Sequence, residues 1–193
     1  MLPRILTAAA FLIGLTGTAT ASTITVSGVE VDSRLFADNA INLNFTGSSA
    51  SGIIGTDFST VATLSLGDLY AVSFANNTFE NGDGFDLFIY ESGNPEGFDV
   101  NLTLGGPSVS ATLVNSDFSG TLSQFRVNTW GIELDDFGIA AGIDVGGFFV
   151  SNTGNAPELF AAAAVNGTPI PLPMSSVLLL GGLGMLGFAR RRG

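Results

Sequence analysis

"FDLFIYESGNPEGFDVNLTL", residues 85–104, holds two runs of alternating apolar residues on either side of a cluster of turn formers, Ser92 to Gly97. Folded back at that cluster with Tyr90 opposite Asp99, it places Phe85, Leu87 and Ile89 on the same face as Leu104, Leu102 and Val100. One consistent apolar face is what a core between two sheets requires.

The same period of two recurs along the chain. Ile41, Leu43 and Phe45 alternate with Asn42 and Asn44, and Tyr70, Val72 and Phe74 alternate with Ala71 and Ser73. Trp130, Ile132 and Leu134 alternate with Gly131 and Glu133. No window of comparable length carries a helical stripe, although "PELFAAAAVN" (157–166) reads as a short helix. About ten strands at short spacing predict an all-β fold, an antiparallel β-sandwich that is jelly-roll-like in broad terms. Residues 22–168 make that one domain. The triplet "DFS" at 57–59 and again at 117–119 is too short to mark a repeat.

Composition narrows the chemistry. The 193 residues include 26 glycines and 16 phenylalanines, which favours β-structure with many turns. Cysteine, histidine and lysine are all absent. That excludes disulfides, thiolate metal sites and a histidine-based catalytic triad, and it leaves no lysine for a serine–lysine pair. All 17 acids lie between Glu30 and Glu158, while four of the six arginines lie in the terminal segments. Residues 22–173 therefore carry 2 − 17 = −15, a surface that repels nucleic acid and anionic lipid. Acidity of this kind suits an exported protein's solubility as well as it suits cations.

The first 21 residues have one basic residue, Arg4, an apolar run from Ile5 to Leu15, and Ala19-Thr20-Ala21 in the small-x-small arrangement that a signal peptidase cuts. Residues 1–21 read as a secretory signal peptide. The run is too short to span a bilayer, which takes about 20 residues.

The C-terminal segment, 169–193, is "PIPLPMSSVLLLGGLGMLGFARRRG". The 16 residues from Met174 to Ala189 carry no charge and, as a helix, cover roughly 24 Å, a marginal span. Arg190, Arg191 and Arg192 would stop transfer and stay cytoplasmic, which agrees with the orientation set by Arg4. Pro169, Pro171 and Pro173 hold the approach extended and accessible to a protease.

This proline-rich motif, hydrophobic helix and arginine cluster resemble the PEP-CTERM class of sorting signals, and most nearly its VPLPA-CTERM variant. Ile170-Pro171-Leu172-Pro173-Met174 matches that motif with Ile for Val and Met for Ala. The resemblance implies a Gram-negative exported protein, handled first by signal peptidase and then by an exosortase, a membrane protease or transpeptidase. It implies an inner-membrane-tethered intermediate and a final place on the cell surface or in the extracellular matrix. A plain C-terminal membrane anchor is the competing reading.

In the exported domain, Asp83 and Asp86, with Glu80 nearby, form the best local cluster for a hard cation, and Ca²⁺ is the ion such oxygens would take. Their spacing does not fit an EF-hand, and turn aspartates commonly serve their own backbone. Asp135-Asp136 has similar standing. Trp130, Tyr70 and Tyr90 offer a stacking face for an extracellular polysaccharide, against which Trp130 stands in phase with Ile132 and Leu134 as a core residue would. The primary expectation is a non-enzymatic envelope or matrix protein, and the alternative is a glycan-binding module, Ca²⁺-dependent or not.

Overall fold

A computed structural model describes residues 22–44, 49–117, 126–152 and 154–169. Those residues contain fifteen strands, and every pairing between them is antiparallel. In chain order they begin with β1 (Thr23–Val26), β2 (Val29–Asp32), β3 (Asn39–Asn42), β4 (Ala62–Thr63) and β5 (Leu69–Ser73). Next come β6 (Asn77–Glu80), β7 (Leu87–Ser92), β8 (Phe98–Asn101), β9 (Ser108–Ser110) and β10 (Thr112–Asp117). The series ends with β11 (Val127–Ile132), β12 (Asp144–Val145), β13 (Gly147–Asn152), β14 (Glu158–Ala164) and β15 (Gly167–Pro169). The helical pieces among the described residues are three short 3-10 turns, Ser33–Leu35, Ser51–Ile53 and Leu134–Phe137.

Two five-stranded sheets, ordered β10-β11-β7-β14-β4 and β3-β5-β13-β8-β9, face each other as a sandwich. A hairpin, β1-β2, and a small sheet, β12-β6-β15, complete the fold. The predicted alternation holds in β5 and its continuation, where Tyr70, Val72 and Phe74 are buried, and through Trp130, Ile132 and Leu134. Across the sandwich the Phe98 and Trp130 rings meet edge to face at 5.4 Å. Burial of Trp130 there agrees with its reading as a core residue. Ile41 departs from expectation: it is 51% exposed on edge strand β3, so the alternation of 41–45 is not in phase with the core at that residue. Phe45 lies outside the described residues.

The expected hairpin between the two halves of 85–104 does not form. Tyr90 pairs with Thr129 and Ala161, while Asp99 pairs with Ser151 and Ser110. β7 and β8 belong to opposite sheets, and residues 93–97 arch between them. The physical reason is visible in β7, all six of whose residues are buried. A strand apolar on both faces belongs in the middle of a sheet covered on both sides, whereas β8 alternates and needs one covered face. Leu87 and Ile89 still serve the core that Val100 serves, but from the opposite sheet.

What covers the second face of β7 is the N-terminal segment. Phe36 bridges to Ala163, and its ring lies 6.5 Å from that of Tyr90. Phe58 packs against Phe36 at 5.8 Å and against Phe160 at 5.6 Å. Gly131 makes room for the Phe85 ring, which a Cβ there would approach to 2.4 Å.

The alanine-rich stretch 157–166 is likewise not a helix but contains β14, wedged between β7 and β4. Alanine favours helix in isolation by a few tenths of a kcal/mol per residue. Ala161 to Ala164 are all fully buried, and small side chains on both faces let the layers on either side approach the sheet closely. Packing overrides propensity here.

One polar irregularity on this second face of β7 yields a test. The hydroxyls of Tyr90 and of its cross-strand neighbour Thr129 are buried without a hydrogen-bond partner, and burial alone pushes the Tyr90 phenol well above its ordinary pKa. Replacing Tyr90 with Phe is expected to raise unfolding stability by about 1 kcal/mol, measured by denaturant titration. A fall of that size would show that the hydroxyl has a partner.

Candidate functional site

The three central strands of the first sheet, β7, β11 and β14, carry the two most informative acids at opposite ends of β7. Asp86 lies just before the strand and Glu91 close to its end. Both are fully buried.

Asp86 is held by backbone at both sides, its N–H donating to the Ile132 carbonyl and its carbonyl accepting from the Val165 N–H. Its Oδ1 accepts from the Gly82 N–H at 2.8 Å and from Asn166 Nδ2 at 3.2 Å, and its Oδ2 accepts from the Leu134 N–H at 2.8 Å. One carboxylate thus fastens the turn before β7, the exit of β11 and the exit of β14. Asp83, three residues earlier, is exposed on the turn. Asp83 and Asp86 therefore do not face a common point: one is in solvent and the other has both oxygens engaged by N–H groups. Among the described residues no group of three or more His, Cys, Asp or Glu side chains is arranged to hold a metal ion. Asp135 is exposed and accepts from Asn81 Nδ2 at 2.8 Å, and Asp136 beside it is exposed as well. Glu80 is half-buried and stands opposite Asp144 in the β6–β12 pair.

Glu91 faces the interior of the sandwich. Its Oε2 accepts from Trp130 Nε1 at 2.7 Å and from Asn128 Nδ2 at 3.2 Å, and its Oε1 accepts from the Glu96 N–H at 2.9 Å. Burial pushes its pKa up to about 7, against the opposing pull of the Trp130, Glu96 and Asn128 donors. Asn128 Nδ2 also donates to the Gly93 carbonyl at 3.2 Å, and its Oδ1 accepts from Ser116 Oγ at 2.6 Å. Sequence reading passed over Glu91 because nothing distinguishes it locally from the exposed acids. The available signal was its position, in phase with Leu87 and Ile89.

The aromatic face expected for a polysaccharide is absent from the surface. Tyr70 and Tyr90 are completely buried and Trp130 is 7% exposed. Tyr70 gives its hydroxyl to the Thr63 carbonyl at 2.6 Å, and Trp130 gives its indole N–H to Glu91. All three serve the interior, so the stacking face they were expected to form is withdrawn.

The terminal features lie elsewhere. Ala19 and Ala21, the motif Ile170 to Met174 and the cluster Arg190 to Arg192 fall outside the described residues. Among the described residues no helix is long and apolar enough to cross a membrane. The last described strand, β15, places Gly167 opposite Phe79 and Pro169 opposite Asn77 on β6. No protein-family model, curated protein or solved structure matches this chain.

Proposed function

We propose that the chain is an exported, non-enzymatic β-sandwich protein of the cell envelope or extracellular matrix, delivered by processing at both ends. Signal peptidase removes residues 1–21, and an exosortase-type membrane enzyme acts on the segment beginning at 169. The observation that carries this reading is the C-terminal order of Pro171-Leu172-Pro173, sixteen uncharged residues and three arginines. The last described strand, β15 (Gly167–Pro169), adjoins the motif in sequence. Beyond it, four residues (170–173) reach at most about 14 Å when extended, which would hold the domain close to the membrane before processing.

A non-catalytic role is supported by the use made of the buried acids, since Asp86 and Glu91 have their oxygens committed to N–H donors inside the protein. The finer topology is read as jelly-roll-like. In its favour, strands β4, β5, β7 and β8 alternate between the two sheets, as do β13 and β14, and the runs β4-β14-β7 and β5-β13-β8 follow the same sequence with an offset of one place in the two sheet orders.

The test is the intact mass of the protein recovered from the envelope or medium of its native host. A mature chain starting at Ser22 and ending within 170–174 is expected, with any mass excess identifying an attached group. A chain running through Gly193 would reduce the tail to a membrane anchor and defeat the sorting reading.

A further inference from the structure

We propose that the domain joins to further copies of itself side by side, the β3–β4 side of one copy meeting the β9–β10 side of the next. Three observations converge on those two sides. β3 and β9 end one large sheet, β4 and β10 end the other, and among the described residues their outer edges pair with no strand. Such an edge is a template for another chain unless charge, proline or irregularity blunts it. β10 has a bulge between Leu113 and Asn115, but neither β3 nor the stretch 108–116 contains a charge or a proline. The second observation is electrostatic. Residues 22–173 carry −15, and repulsion of that size keeps copies apart. The two longest charge-free stretches of 22–168 are 39–56 and 100–116, which supply β3 on one side and β9 and β10 on the other. The acids bordering them are engaged within the domain: Asp38 accepts from the Ala75 and Asn76 N–H groups, Asp68 from the Ser65 N–H, and Asp99 from Ser110 Oγ. Copies therefore meet at these two sides without setting acid against acid.

The third observation is where apolar surface remains. Among the described residues eight large apolar side chains are exposed, and six of them lie at these sides. Ile41 is on β3, Val61 and Leu66 flank β4, Leu113 and Val114 are on β10, and Leu104 is in the turn before β9. The two sides are complementary rather than alike. Tyr70 on β5 gives its hydroxyl to the Thr63 carbonyl on β4, which sets β4 across from β5. Each large sheet then runs one strand past the other, by β3 at one side and by β10 at the opposite side. The projecting β10 is exposed from Thr112 to Ser116. Cross-strand partners share a face, so Leu113, opposite Trp130, turns to the inner side of its sheet, and Ala40, opposite Val72, to the inner side of the other. Set side by side, the projecting β10 of one copy lies over the projecting β3 of the next, Leu113 above Ala40. A joint between unlike sides does not close on itself and repeats into a chain of copies.

Sedimentation velocity of the protein as recovered from its host is expected to show dimers and longer oligomers that grow with concentration. They should also grow from about 0.02 to about 0.5 M NaCl, because salt screens the repulsion between copies. Ile41→Asp spoils one side and Val114→Asp the other, and each should raise the dissociation constant at least about tenfold by burying an unpaired charge in the joint. An equimolar mixture of the two variants should recover dimers and nothing longer, since only the intact β10 of the first and the intact β3 of the second can meet. Ile143→Asp, exposed beside the small sheet, should assemble as the parent does. A monomer at every concentration and salt would overturn the proposal, as would assembly indifferent to both substitutions, the behaviour of association through the hydrophobic tail. Dimers lost in one variant and kept in the other would show a two-fold joint of one side with itself and overturn it equally. Should either variant fail to fold, Asn39→Asp and Thr112→Asp, exposed on the same two strands, take their places.

Discussion

Asp86→Ala is expected to cost the domain roughly 3–5 kcal/mol, the combined penalty of leaving several buried donors unpaired at about 1–3 kcal/mol each. The loss concerns the Gly82 and Leu134 N–H groups and Asn166 Nδ2, which together donate all three of the side chain's hydrogen bonds. These groups sit at the ends of β7, β11 and β14, so the penalty falls on the centre of the sandwich rather than on one loop. Asp86→Asn keeps the volume and one acceptor, but points an NH₂ group at a donor, and should recover only part of the loss. Denaturant unfolding of the three proteins is the measurement. A midpoint for Asp86→Ala within about 1 kcal/mol of the parent would show that the three bonds do not hold the strands. Asp83→Ala, three residues away and exposed, is the matched control and should change little.

Phe79→Ala is the second large effect, at about 3–5 kcal/mol for truncating a fully buried phenylalanine. Phe79 lies in β6, where its ring meets Phe74 at 5.3 Å and Phe148 at 6.3 Å. Phe148 belongs to the second large sheet, so this ring joins the small sheet β12-β6-β15 to the main core. The backbone of Phe79 pairs with Val145 on one side and Gly167 on the other. A further consequence follows at the C-terminus: β15 should exchange its amides faster than β7 in the variant, because β6 is the strand it pairs with. Equal acceleration in β7 and β15, or no change in β15 exchange, would place the support of β15 elsewhere.

The two carboxylates at the ends of β7 differ in chemistry as well as position. Asp86 is anchored by backbone N–H groups at the ends of β7 and β11, and Glu91 depends in part on the N–H of Glu96 in an arch with exposed residues. Substituting the first is therefore expected to act on global unfolding, and substituting the second on the arch and on the Trp130 and Asn128 contacts first.

How much of this was legible in the sequence depends on what each pattern physically reports. Alternation reports which residues share a buried face, so β-structure and the core role of Tyr70, Val72, Trp130 and Ile132 followed from spacing alone. The absence of His, Cys and Lys determined, without any structure, which catalytic chemistries are unavailable. The proposed terminal signals are likewise linear features of the sequence, independent of the fold. Alternation does not report a strand's partner, because the same apolar face is satisfied by a neighbour in the ladder or by the opposite sheet. Tertiary structure therefore decided that β7 and β8 are joined by an arch. It also made 158–164 a strand, since burial between layers outweighs the small helical preference of four alanines. Nothing local separates Asp86 and Glu91 from the exposed acids. Their roles arise only when β11, β14 and the arch bring N–H groups to them, contacts that span up to 80 residues of chain.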